Sequence, residues 1–209
     1  MNTPYYIEGV ARIAEGKVAL NKEVLFDEMH EDFSAFIKSA YKHFDTKYSK
    51  FFKMDSLSKL AFLTADILLK DANLPQDQEN NIALVFSNRA SSLDTDRKHQ
   101  ESISDTDNYF PSPAVFVYTL PNICLGEISI KHSLYSENSF FIFDTFNAKH
   151  LCSYATALLD SNKASSVLCG WVDVDAEAYE AILFLVSKKG EVTFNTNELN
   201  RIYNDSWTH

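Results

Sequence analysis

Three cysteines, Cys124, Cys152 and Cys169, are the strongest intrinsic nucleophiles in this chain. A thiol attacks as its thiolate, so it needs a base or an electropositive neighbour. His150 stands two residues before Cys152, and residues two apart on a helix point to different sides, so they do not form a nucleophile–base pair. The odd number and irregular spacing of the cysteines match neither a disulfide framework nor a metal site, and each lies in an apolar run. Buried, reduced thiols follow. The Asp-Thr-Asp stretches at 94–96 and 105–107 lack the glycine and distal glutamate of a calcium loop and read as solvated loops. No metal and no cofactor is expected. Asp144 reads as the N-cap of the helix that follows it rather than as an acid–base group, and His150 as a buried, hydrogen-bonded histidine. Phe110, Phe116, Tyr118, Phe141, Phe143 and Phe146 form a dense aromatic set suited either to a core or to an apolar pocket.

The elements that position these residues follow from periodicity. Residues 5–12 and 17–20 read as strands. Apolar residues recur at helical spacing from 24 to 52. "MDSLSKLAFLTADILLKDANLP", residues 54–75, is the clearest helix, capped by Asp55 or Ser56 and ended at Asn73 and Pro75. "NIALVFS", residues 81–87, is a strand too apolar for a solvent-facing edge and predicts burial on both faces. The polar stretch 88–109 reads as a surface loop with one or two helical turns. A small-residue helix is predicted over 114–132, interrupted at Pro121. "SFFIFDTF" (139–146) is a strand, 147–162 a helix, 165–172 and 179–189 strands. A short helix capped by Asn195 or Thr196 ends the chain. This is an α/β pattern with helices covering both faces of a mostly parallel five-stranded sheet. The last two strands, joined around 173–176, pair antiparallel and place an antiparallel strand at the edge.

The balance of 19 basic against 29 acidic residues leaves a formal net charge of −10. That repels nucleic acid and anionic membrane surfaces. An acidic partner would need a local basic patch, for which Lys42, Lys47, Lys50 and Lys53 are candidates. No run reaches membrane-spanning length and no secretory signal stands at the N-terminus, so a cytoplasmic location and a single domain over 1–209 are expected.

Ser112-Pro113, then Pro121-Asn122 and Gly126, then the turn "SENS" and the strand "FFIFDT" resemble in order and spacing the N-terminal half of the β-ketoacyl synthases, a thiolase-like half-fold. Upstream, "KMDSLSKLAFLTADILLKDANL" followed by "IALVFS" is similar to the family's helix and strand. Downstream, "SSVLCGWVDV" resembles the strand ending in a Gly-Gly turn, with Gly170 kept and Trp171 in place of the second glycine, and "EAYEAILFLVSKK" the strand after it. The resemblance is clearest over 50–190. It implies that the nucleophilic cysteine's place falls on Thr145, and that the half carrying the two catalytic histidines is absent.

The resemblance thus implies a non-catalytic ketosynthase-like partner, akin to chain-length factors, in fatty-acid or polyketide-type synthesis of the aryl-polyene or flexirubin kind. It implies no catalytic residue and an acyl pocket near Phe116, Phe143, Thr145, Phe146 and His150. It also implies pairing surfaces on the strand Phe140, Phe141 and Ile142 and on the helix carrying Cys152, Ala155 and Leu159. The partner would be a second copy or a full-length ketosynthase, with an acyl carrier protein as a further partner whose phosphate Arg89 or Arg97 would contact. The competing reading is an active acyltransferase, 3-oxoacyl synthase or decarboxylase using Thr145, Cys124 or Cys152.

Overall fold

In a computed structural model, residues 4–205 are described, apart from 30–31, 76–77, 105–106 and 108–109. Part of the second Asp-Thr-Asp stretch therefore lies outside the described residues. The chain begins as a meander of β1 (Tyr6–Ala14), β2 (Lys17–Leu20) and β3 (Glu23–Asp27). Its two turns, Glu15-Gly16 and Asn21-Lys22, hold both central residues at positive φ. Such turns have the twist that two-residue hairpins need.

The meander corrects the expectation of a helix from residue 24. Phe26 sits at helical spacing from later apolar residues, yet it stays in β3 and packs on Phe36, ring centroids 5.9 Å apart. The helix α1 (Phe33–His43) starts only where Asp32 accepts the Ala35 N–H at 2.7 Å. A 3-10 turn (Ser49–Lys53) leads into α2 (Ser56–Asp71), capped by Asp55 through the Ser58 N–H at 2.9 Å. Each such cap is worth about 1 kcal/mol. β4 (Ile82–Asn88) is buried at every position, as its unbroken apolar run predicts.

The polar stretch after β4 forms a fuller helix than expected, α3 (Leu93–Ser104), with Thr95 as its sole buried residue. Local pairs hold it: Lys98 Nζ lies 2.9 Å from Asp94, and Thr95 Oγ1 donates to Asp55 at 2.8 Å. The break at Pro121 is as predicted, between α4 (Pro113–Val117) and α5 (Ile123–His132). Then come β5 (Asn138–Ile142), α6 (Ala148–Asp160), β6 (Ser166–Asp175), β7 (Ala178–Ser187), the short β8 (Val192–Thr193) and α7 (Thr196–Asn204), capped by Asn195.

The strands form one eight-stranded sheet in the order β3-β2-β1-β7-β6-β4-β5, with β8 on β1. Within its five-strand core, β1-β7-β6-β4-β5, four strands run one way. β4 pairs in parallel with both β5 and β6, while β7 is antiparallel to both β6 and β1. The antiparallel strand is therefore internal, not at the edge. The tight turn from β6 fixes one neighbour of β7, but β1, from the other end of the chain, takes the other side. β7 is accordingly buried throughout from Ala181 to Ser187. Gly170 in β6 is required by this closeness, since a Cβ there would overlap the Ile182 carbonyl.

Helices α1, α2 and α5 cover one face of the sheet, and α6 and α7 cover the other. α2 is buried almost all round, and its one interior carboxylate, Asp66, is met by three neighbouring groups. Asp66 accepts from Thr46 Oγ1 at 2.8 Å and pairs with Lys70 at 2.7 Å and His132 Nε2 at 3.2 Å. Among the described residues no helix is long and apolar enough to cross a membrane.

Candidate functional site

The C-terminal ends of parallel strands are where an α/β sheet leaves room for a ligand. Here β4 and β5 end together, while β6 runs on to Asp175. The Phe143 N–H donates to the Asn88 carbonyl at 2.9 Å, extending the pairing one residue beyond β5. The chain then turns through Asp144, Thr145 and Phe146, and Asn147 caps α6 by accepting the His150 N–H at 3.0 Å. The cap is thus Asn147, not Asp144, which is exposed. Asn147 lies directly before the first helical residue, the place from which a side-chain oxygen reaches the third helical N–H.

Thr145 sits exposed at the apex of this turn and lines two clefts. One, about 390 Å³, runs between Arg12, Arg89, Trp171, Tyr179 and Tyr203. The other, about 440 Å³, is bounded by Phe143, Asn147, Lys149, Thr196 and Asn200. No histidine lines either cleft; the carboxylates of Glu15, Asp144, Asp173 and Glu180 line the first, and the Thr145 hydroxyl hydrogen-bonds none of them among the described residues. A hydroxyl without a base is a poor nucleophile at neutral pH.

The walls around Thr145 are aromatic and locked. Phe146 stacks on Tyr203 of α7 with centroids 4.2 Å apart, and the Tyr203 hydroxyl donates to Glu180 at 2.8 Å. Burial, then that hydrogen bond, pushes the Tyr203 phenol well above its ordinary range. Arg12 Nη1 donates to the carbonyls of Tyr203 and Asp205, at 3.3 and 2.9 Å, and so ties the end of α7 to β1. Trp171, buried beside the cleft, fills the space that a second glycine would leave open.

Of the residues expected at a pocket, Phe143, Thr145 and Phe146 come together at this turn. His150 lies behind it, caged by Phe141 at 4.4 Å, Phe143 at 4.9 Å and Tyr154 at 5.9 Å. His150 is half-buried rather than buried as expected, and its inward Nε2 has no hydrogen-bond partner among the described residues. Phe116 is elsewhere, exposed on α4 and in contact with His99.

Two of the three cysteines offer no substitute. The Cys124 thiol is buried, donates to the Pro121 carbonyl at 3.1 Å, and is pushed well up by desolvation. Desolvation likewise raises Cys169, which is fully buried. Cys152 is half-buried on α6 against the sheet. Arg89 and Arg97 are not free for a phosphate. Arg89 lies 3.6 Å from Asp173 and 3.7 Å from Asp175, and Arg97 2.7 Å from Asp175. Lys47 and Lys50 are likewise committed, to Asp45 and to the buried Glu127.

The expected pairing surfaces divide. Phe140, Phe141 and Ile142 lie on β5, which ends the sheet and pairs only with β4 among the described residues. Phe140 leans toward the α2–α5 core and Phe141 toward α6, while Ile142 is 49% exposed. Ala155 and Leu159 are instead turned inward: 0% and 5% exposed, they face this chain's own sheet. α7 packs beside α6 there, burying Leu199 and Ile202. Sequence reasoning missed α7's role, and with it Arg12 and Tyr203. The strong amphipathicity of "NELNRIYN" was the available signal.

No family model matches the sequence, and no curated protein does. Solved structures do match the fold. An ishigamide ketosynthase/chain length factor structure aligns with a TM-score of 0.64 at 14% identity, over 88% of this chain and 62% of that one. A ketosynthase in complex with its chain length factor from Xenorhabdus doucetiae gives 0.56 at 15%, over 90% and 81%. A type II polyketide acyl-carrier protein in complex with its ketosynthase gives 0.59 at 13%, over 96% and 65%. The chain thus spans about 62% of the length of the first of these. Its fold is the thiolase-like half-fold of ketosynthase and chain-length-factor chains.

Proposed function

We propose that this protein is a non-catalytic, ketosynthase-like companion in fatty-acid or polyketide-type synthesis, of the aryl-polyene or flexirubin kind. It pairs through β5 with a full-length ketosynthase. The observation that carries this reading is Thr145: an exposed hydroxyl at the apex that follows β5, with no base hydrogen-bonded to it among the described residues. The open edge of β5 supports the pairing. An edge strand presents unpaired backbone groups to another chain, and the exposed Ile142 adds an apolar contact. Structural neighbours that are themselves complexes of ketosynthases with chain length factors support the choice of partner. An active acyltransferase gains no support from Cys124 or Cys169, which are buried and hard to ionise.

The test is solution mass, measured for this protein alone and mixed with a full-length ketosynthase. A stable complex that loses affinity with Ile142→Lys supports the reading. A monomer that ignores the synthase overturns it. Acyl transfer to Thr145, Cys124 or Cys152 on exposure to an acyl thioester, read by mass spectrometry, overturns the non-catalytic part separately.

A further inference from the structure

The cleft of about 390 Å³ beside Thr145 holds more polar groups than the protein itself uses. The carboxylates of Glu15 and Asp144 make no hydrogen bond or ion pair among the described residues, and Glu180 gives one oxygen to the Tyr203 hydroxyl at 2.8 Å. Donors are unmatched as well. The Tyr179 hydroxyl accepts the Gly16 N–H at 2.9 Å, which leaves its own O–H to donate. Arg89 lies 3.6 and 3.7 Å from Asp173 and Asp175, so its charge is matched while its side-chain N–H groups reach neither carboxylate at hydrogen-bond distance. Trp171 lines the same cleft and is 3% exposed, and its indole N–H has no acceptor among the described residues. A buried donor without an acceptor is uncommon in a folded chain and calls for an explanation.

These groups select a ligand by its chemistry. Four carboxylates, from Glu15, Asp144, Asp173 and Glu180, stand against the two arginines Arg12 and Arg89, so an anion is repelled. A bare hydrocarbon chain would bury the polar lining unpaired. A simple ammonium ion satisfies carboxylates but brings no acceptor to Thr145, Tyr179, Arg89 or Trp171. A neutral polyol serves both sets, because each hydroxyl is one donor and two acceptors. A cyclic polyol also has a C–H face, for which the half-buried stack of Phe146 on Tyr203 is an apolar wall. The cleft volume falls in the range of small-molecule sites, about 300–1,000 Å³.

We infer that this cleft binds a neutral cyclic polyol of monosaccharide size. Its hydroxyls donate to Glu15, Asp144 and Glu180 and accept from Arg89, Tyr179 and Thr145, and a ligand oxygen supplies the acceptor that Trp171 lacks. The inference goes beyond the companion reading and does not rest on it. No residue of β5 lines the cleft, so Ile142→Lys leaves the cleft intact, and the failure of either reading leaves the other standing.

The experiment is saturation-transfer difference NMR on the full chain with glucose, galactose, mannose, N-acetylglucosamine and myo-inositol, followed by titration calorimetry with each compound that gives a signal. The expected result is saturable binding of at least one of them. Its affinity falls at least about tenfold in E15Q/D144N, where both side chains are exposed and the fold is spared, and is unchanged in E191Q. W171F, which removes the indole N–H and keeps an aromatic ring, also weakens binding, and circular dichroism verifies the fold of each variant. The inference is overturned if none of the five compounds binds, or if E15Q/D144N or W171F binds as wild type does. Binding of spermidine or octanoate in place of all five overturns it equally, since the cleft would then select a cation or an acyl chain.

Discussion

Thr145 and Asp66 show what single residues do at the two ends of the sheet. Thr145 has access to solvent and to two clefts, but no base hydrogen-bonds its hydroxyl among the described residues, so exposing the protein to an acyl thioester should leave Thr145, Cys124 and Cys152 unmodified. Intact-mass spectrometry checks this. Asp66 has the opposite character: it is fully buried and held by Thr46, Lys70 and His132. Burial alone would raise its pKa, but the three donors outweigh burial and hold it below the ordinary value. A carboxylate with a depressed folded pKa contributes stability that is present above its unfolded pKa, about 4, and is lost as pH falls through the folded value. Asp66→Asn should therefore cost roughly 3 kcal/mol at neutral pH. It should also flatten the acid limb of the stability curve below about pH 4, as read by urea unfolding across pH. The sequence does not announce this network. Thr46, Asp66, Lys70 and His132 converge only after α2 and α5 pack together, whereas the caps Asp55 and Asn195 were legible because a cap and its N–H are three residues apart.

The same contrast between local and distant causes runs through the elements. β4's double-sided burial, the break at Pro121 and the β6–β7 pairing were readable, since each depends on a short segment's own composition. α3 was not, because its support lies in polar pairs rather than an apolar stripe. Nor was the inward face of α6. Small residues such as Ala155 allow close packing against any neighbour, and only the fold shows that this neighbour is the chain's own sheet. α7 completes that layer, fixed by Leu199 and Ile202 below, by Tyr203 on Phe146, and by Arg12 at its end. Leu199→Ala should thus destabilise the fold by about 2–5 kcal/mol. Tyr203→Ala should in addition widen the cleft at Thr145, seen as faster hydrogen exchange at 144–147. Unchanged exchange there would mean that the stack does not brace the turn.

For the whole molecule, the decisive feature is a sheet whose two ends differ. On the far side the sheet ends in the β2–β3 hairpin, with Phe26 packed against α1. On the near side, β5 has no neighbour beyond it among the described residues. Ile130 on α5, Tyr135 before β5, and Ile142 are each about half exposed or more. An apolar, uncovered edge is a site of association. Its short length and the chain's high net charge oppose unlimited stacking, so a discrete pair is the expected product. The protein on its own should show weak, concentration-dependent self-association by sedimentation, and addition of a ketosynthase should replace it with a heterodimer. Ile142→Lys, which puts a charge on the edge without touching the core, should abolish both while leaving the melting temperature within a few degrees. If Ile142→Lys removed self-association but left the heterodimer intact, the ketosynthase would have to bind elsewhere, and the solvent-exposed residues of α4, Phe116, Val117 and Leu120, would be the next surface to alter.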